Sequence, residues 1–171
     1  MRAQDFFAAA SSAVQRSSNT PPVMPPASEA NFLTLVRRRA TGEPLAYLSG
    51  HKEFFGLNLV VDARVLVPRP DTEPLVEWAL DVLPPNASLR VLDLGTGSGA
   101  VALAVQHQRP ACTVIAVDTS EDALAVARSN AQRLHLPVQC VHSHWMDSVA
   151  GPFHLVVSNP PYVAEGDPHL A

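Results

Sequence analysis

Apolar residues change their spacing along this chain, and the change marks where a layered α/β unit begins. From Arg90 onward, short apolar runs at 90–94, 113–117, about 138–142 and 153–158 read as strands, alternating with helical repeats at about 98–108 and 121–134. Leu124, Ala127, Ala131 and Leu134 recur at intervals of three and four, the inward stripe of an amphipathic helix. Short apolar strands alternating with helices specify a parallel sheet covered on both faces.

Upstream the pattern is less regular. Residues 2–16 have helical composition, but 17–28 contains Pro21, Pro22, Pro25 and Pro26 and predicts a linker or extended arm. A short helix over 29–40 puts Phe32, Leu35 and Val36 on one face and ends in Arg37, Arg38 and Arg39, where cations suit the helix dipole; Gly42 stops it. Residues 53–61 read as two strands around a glycine and asparagine turn, a connecting hairpin. After Pro68, Arg69 and Pro70, Thr72 is expected to N-cap a helix to about Leu83, with Pro74 in its first turn. The expected organisation is a helical region over 1–50, the hairpin over 51–70 and the sheet domain over 71–171.

At 171 residues the chain holds one domain with a real core, or one core and a small appendage. A net charge of -4 argues against a general binder of phosphate backbones. Cys112 and Cys140 sit in apolar runs and read as buried reduced thiols, which suits a reducing compartment. No stretch approaches the roughly 20 apolar residues of a membrane span, and Asp5 interrupts an N-terminus without a signal-peptide run. The expectation is a soluble cytoplasmic protein without membrane contact; Arg2, Arg16 and nearby serines give only a trace of a mitochondrial address.

Candidate chemistry lies at two strand ends. Asp93 and Leu94 run into Gly95-Thr96-Gly97-Ser98-Gly99 and then a helix, a bare backbone turn that lets a ligand approach closely. Asp118, nineteen residues beyond Gly99, ends the next strand, where a carboxylate can accept from two ribose hydroxyls or cap the helix near Ser120. Nicotinamide cofactors favour G-x-G-x-x-G, whereas Ala100 stands here with the third glycine at 99, so the spacing favours a nucleoside without a pyrophosphate. Trp145, after the third strand, is either an adenine platform or a core aromatic. Cys140, His142 and His144 alternate, but a second ligand cluster for a metal is missing and no metal is expected.

The second strand end is Asn159-Pro160-Pro161-Tyr162. An amide nitrogen is a poor nucleophile because its lone pair is delocalised. The Asn159 side-chain carbonyl and the Pro160 backbone carbonyl can accept its two hydrogens and so aim it, while Tyr162 packs on the flat face and excludes water. Positioning of this kind contributes roughly 7 to 11 kcal/mol in favourable cases. Donor loop and acceptor loop together point to methyl transfer onto a planar nitrogen.

On these residues the chain resembles the glutamine-N5 methyltransferases of peptide chain release factors. The resemblance runs from about Phe32 to the end, through Gly42-Glu43-Pro44-Leu45-Ala46-Tyr47-Leu48-Ser49-Gly50, Glu53-Phe54, Val67-Pro68-Arg69-Pro70-Asp71-Thr72-Glu73, the glycine loop and Asn159 to Tyr162. It implies a Rossmann-like class I fold with S-adenosylmethionine as donor, and as acceptor the glutamine of the release factor's Gly-Gly-Gln loop. It implies that Gly95, Thr96, Gly97, Ser98, Gly99, Asp118, Trp145 and Asn159 line the donor site, and that Asn159, Pro160, Pro161 and Tyr162 hold the glutamine. A release-factor-binding helical region at the N-terminus would give Arg37, Arg38 and Arg39 a docking role, against the simpler role of a solvated helix end.

Three features depart from the family pattern. His144 stands where an acidic residue usually precedes the tryptophan, the N-terminal helical region is short, and the sequence stops at Ala171. Family members add three further strands to complete a sheet of order 3-2-1-4-5-7-6. With only the first four strands, the resemblance implies a fragment that carries the site residues with little stability and little or no activity. The competing readings are a methyltransferase acting on the amino group of a nucleic-acid base, and a non-catalytic protein that binds only ligand or partner.

Overall fold

The computed structural model describes residues 26–160, which fall into two compact units that divide between Gly50 and His51. The proposed helix over 2–16, most of the proline arm, Pro161 and Tyr162 lie outside the described residues. In the first unit, α1 (Pro26–Ala40) starts earlier than the sequence pattern implies, with Pro26 at its head, where proline's fixed φ suits a first turn. Arg38 pairs bidentately with Glu43 across the Gly42 turn, and the short helix α2 (Leu45–Ser49), absent from the sequence reading, follows Pro44.

The second unit opens with the hairpin β1 (His51–Phe54) and β2 (Leu57–Val60), paired antiparallel from His51↔Val60 to Phe54↔Leu57. Its turn is Phe55-Gly56, with φ of 49° and 77°, the double positive φ that matches strand twist in two-residue hairpins. Asn58, expected in the turn, lies instead in β2 opposite Glu53, because alternation buries Leu57 and Leu59 and turns Asn58 outward. Glu53 Oε1 accepts from the Gly56 amide at 2.7 Å and Glu73 Oε1 from the Phe55 amide at 3.3 Å, so the turn is held from two sides.

After a single 3-10 turn (Pro70–Thr72) come α3 (Glu73–Val82), β3 (Arg90–Leu94), α4 (Ala100–Gln108), β4 (Thr113–Asp118), α5 (Glu121–Leu134), β5 (Gln139–His142) and β6 (Leu155–Ser158). All neighbours in the sheet are parallel, in the order β5-β4-β3-β6. This corresponds strand for strand to 3-2-1-4. The order reverses at β3, since the chain first moves outward through β4 and β5 and then returns to the other side for β6.

Two right-handed crossovers running in one direction place their helices on one face. Accordingly α4 and α5 meet where Gly99 faces Ala127, and α3 packs beside α4. The opposite face was expected to be covered as fully. Among the described residues its cluster of Leu92, Leu94, Ile115 and Val117 is instead covered by Val141, Val149 and Phe153, the last two from the long segment before β6. Arg90 anchors that segment, donating to the carbonyls of Ala150 and Pro152 and stacking its guanidinium 4.7 Å from the Phe153 ring. No helix among the described residues is long and apolar enough to cross a membrane.

Candidate functional site

β3 and β6 run side by side in register, with Leu94 opposite Ser158, and the Ser158 hydroxyl donates to the Leu94 carbonyl at 2.9 Å. The next residues are Gly95 on one strand and Asn159 on the other. The two candidate motifs therefore leave the sheet together at its carboxyl edge, at the reversal of strand order where open α/β sheets characteristically hold ligands.

In the loop 95–99, Gly95 is exposed and Gly97 half-buried, while Thr96, Ser98 and Gly99 are buried. Gly95, Gly97 and Gly99 have φ of 74°, 55° and 84°, the left-handed region in which a side chain is strained. Their surroundings differ. A Cβ added at Gly95 or Gly97 meets nothing within 4 Å, whereas one at Gly99 would lie 3.0 Å from Leu103 Cδ1 and 3.3 Å from Ala127 Cβ. The first two glycines thus keep a cradle open, and the third lets α4 pack against α5.

Three side chains hold the loop in place. Asp118 Oδ2 accepts from the Gly97 amide at 2.9 Å while its Oδ1 accepts from the Ser120 amide at 3.0 Å, so one carboxylate serves both the glycine loop and the head of α5. Both oxygens keep lone pairs for further donors. Ser120 itself caps α5 by accepting from Ala123.

Asp93 Oδ2 accepts from the Thr96 hydroxyl at 2.6 Å and from the Ala102 amide at 3.2 Å. Burial raises its pKa from 3.8 to about 6, these two hydrogen bonds oppose the shift, and the charge of Asp118 adds to it. Asn130, fully buried on α5, donates from Nδ2 to the Ser98 carbonyl at 3.0 Å.

On the acceptor side, Asn159 Nδ2 donates to Thr72 Oγ1 at 3.0 Å. Thr72 stands at the N-cap position of α3 as expected, but its hydroxyl serves Asn159 rather than the helix. Its backbone is already helical, with φ of -88° and ψ of -17°, because the 3-10 turn precedes it, and its hydroxyl makes no cap bond. Pro160 is exposed beside Asn159.

Trp145 lies just beyond β5, 58% exposed and with φ of 49°, so it is not a core aromatic. His144 meets it edge to face and pairs with Asp147 at 3.5 Å. His142 Nε2 contacts the Thr119 carbonyl at 2.9 Å, and burial raises the thiol pKa of half-buried Cys140. Cys112 is buried in the turn before β4 rather than within a strand.

Residues 76–171 match the family model described as "Methyltransferase small domain". The chain belongs to this family. As a methyltransferase small domain it is 51% identical over 140 residues to the release factor glutamine methyltransferase of Escherichia coli strain K12, covering 80% of this chain and 50% of that protein. It is 50% identical over 155 residues to the protein of the same name from Bordetella pertussis, covering 90% and 57%. The chain spans about half the length of the curated relatives it matches. Among solved structures, a T. thermophilus 16S rRNA N2 methyltransferase in complex with AdoMet and guanosine superposes with a TM-score of 0.56 at 22% identity, covering 68% of this chain and 33% of that one. That likeness establishes the shared fold of a class I methyltransferase sheet.

Proposed function

We propose that this chain carries the donor and acceptor loops of an S-adenosylmethionine-dependent methyltransferase that modifies the side-chain amide nitrogen of the glutamine in the Gly-Gly-Gln motif of class 1 release factors. The observation that carries the reading is the side-by-side exit of Gly95 and Asn159 from paired strands. It brings a loop suited to a nucleoside next to a loop suited to an amide.

S-adenosylmethionine supplies an electrophilic methyl carbon on a sulfonium. The residues present suit such a group. Gly95 and Gly97 leave open space, Thr96 and Ser98 complete the turn, Asp118 offers lone pairs to ribose hydroxyls, and exposed Trp145 offers an aromatic face to a base.

On the acceptor side, Asn159 and the Pro160 carbonyl each accept one hydrogen of the glutamine amide and fix its plane, with Pro161 and Tyr162 completing the grip. Thr72 accepts from the Nδ2 end of Asn159, which fixes the orientation of that side-chain amide. Strong basicity is not required of any group here. The nitrogen loses its proton readily once alkylated, so alignment is the main contribution of the protein. The release factor is the protein partner, and the cytoplasm, where translation terminates, is the compartment.

The test is mass spectrometry of an unmodified release factor after incubation with this chain and S-adenosylmethionine, with Asn159→Ala in parallel. One added methyl on the Gly-Gly-Gln glutamine, absent with the variant, would support the acceptor assignment. Methylation of RNA or DNA with an untouched release factor would overturn the acceptor assignment.

A further inference from the structure

The side chain of Asn130 is shared between two parts of the chain that sequence separates widely. Its Oδ1 accepts from the Val60 amide at 2.8 Å, and its Nδ2 donates both to the Val60 carbonyl at 3.0 Å and to the Ser98 carbonyl at 3.0 Å. Val60 ends hairpin strand β2; Ser98 lies between the two last glycines of the loop. Arg133, one turn further along α5, donates to the Asn58 carbonyl, so the same helix grips β2 twice.

A fully buried amide whose oxygen and both donors are engaged by main-chain groups has one workable orientation. Removing it leaves the Ser98 carbonyl without this partner in a buried setting and the half-buried Val60 without two of its bonds. The loop needs this hold more than an ordinary turn does, because its glycines have the widest conformational freedom to lose. Asp118 fixes the loop from β4 through Gly97, and Asn130 fixes it from α5 through Ser98.

We infer that Asn130 is a positioning residue for the donor loop, and that β2 and the loop are ordered together through its side chain. The inference rests on the donor reading above. Occupancy of the loop should then tighten the hairpin. The hairpin's turn is in turn bonded to Glu73, next to the Thr72 that holds Asn159.

The test uses S-adenosylhomocysteine, an unreactive nucleoside probe, with the full chain. Calorimetric titration is compared for the unsubstituted protein, Asn130→Ala and Asn130→Asp. The aspartate keeps an acceptor for the Val60 amide but turns both donations into oxygen-to-oxygen contacts. Both variants are expected to bind roughly tenfold more weakly, about the value of one buried hydrogen bond, under conditions where circular dichroism shows them folded. A second readout, hydrogen exchange of the Val60 amide, is one that general stability alone would not link to ligand. The probe should slow it in the unsubstituted protein and leave it unchanged in Asn130→Asp.

If Asn130→Ala does not fold, the aspartate variant and the exchange of the unsubstituted protein decide. Unchanged affinity in a folded variant, or Val60 exchange indifferent to the probe, overturns the inference while leaving the donor reading intact. Failure of the unsubstituted chain to bind overturns the donor reading and the inference together.

Discussion

Replacing Asp93 by asparagine should make this protein more stable at neutral pH and leave it nearly unchanged in mild acid. Asp93 is 2% exposed, and burial moves its pKa from 3.8 to about 6. The folded state therefore binds its proton more tightly than the unfolded state. Stability from this group is fully present below the unfolded value, declines as pH rises through the window from 3.8 to about 6, and stays reduced above it. A shift of this size is worth about 3 kcal/mol at roughly 1.4 kcal/mol per pH unit.

Asparagine cannot ionise, yet its carbonyl oxygen can still accept from Thr96 and Ala102. The surface pair Asp62 and Arg64, whose contact lowers the Asp62 pKa, is present in both proteins and cancels. Urea unfolding of both proteins at a series of pH values gives the difference from midpoints and slopes. The variant's advantage should grow by about 2.5 kcal/mol between pH ~4 and pH ~7, since the unfolded carboxyl is already partly ionised at the lower value. A difference that stays flat across that range would refute the reasoning, because it would mean that Asp93 titrates alike in both states.

Other expectations follow from the same geometry. Thr72→Val should slow glutamine methylation roughly five- to tenfold with S-adenosylmethionine affinity unchanged, while Thr72→Ser retains the rate, since the hydroxyl is the group that accepts from Asn159. Gly99→Ala should lower stability by about 1 to 3 kcal/mol in denaturant melts, because positive φ and crowding against Leu103 and Ala127 add together. At Gly95, where the added carbon meets nothing, the alanine variant should lose less stability but should still weaken nucleoside binding by calorimetry. Trp145→Ala, at an exposed position, should leave stability within about 0.5 kcal/mol and reduce nucleoside affinity.

The sheet and its helices were legible because each strand is a short apolar run bounded by turn residues. α5 was predicted at 121–134 and spans Glu121–Leu134. Thr72 was placed correctly at the head of α3, but the partner of its hydroxyl was not legible. A threonine before a proline-containing helix start looks like a cap, and nothing nearby reveals a partner 87 positions away. Asn130 was missed although a signal existed. It lies three residues after Ala127 on the buried face of α5, and a polar residue there needs a buried partner. The identity of that partner, 70 positions upstream in the hairpin, is set by tertiary packing and no local pattern carries it. α2 escaped notice because five residues are too few to show a helical period.

Parallel strands stand about 4.8 Å apart whatever their side chains. Because Leu94 and Ser158 are paired, the gap at which the two strands release the glycine loop and Asn159 is set by the main-chain ladder. Reach is thus a constant of the sheet, whereas what is gripped beyond it depends on residues that the sheet does not constrain. A scaffold of this kind can change its acceptor by altering the segment after β6 and the Thr72 turn, without ever having to recalibrate the distance a methyl group must travel.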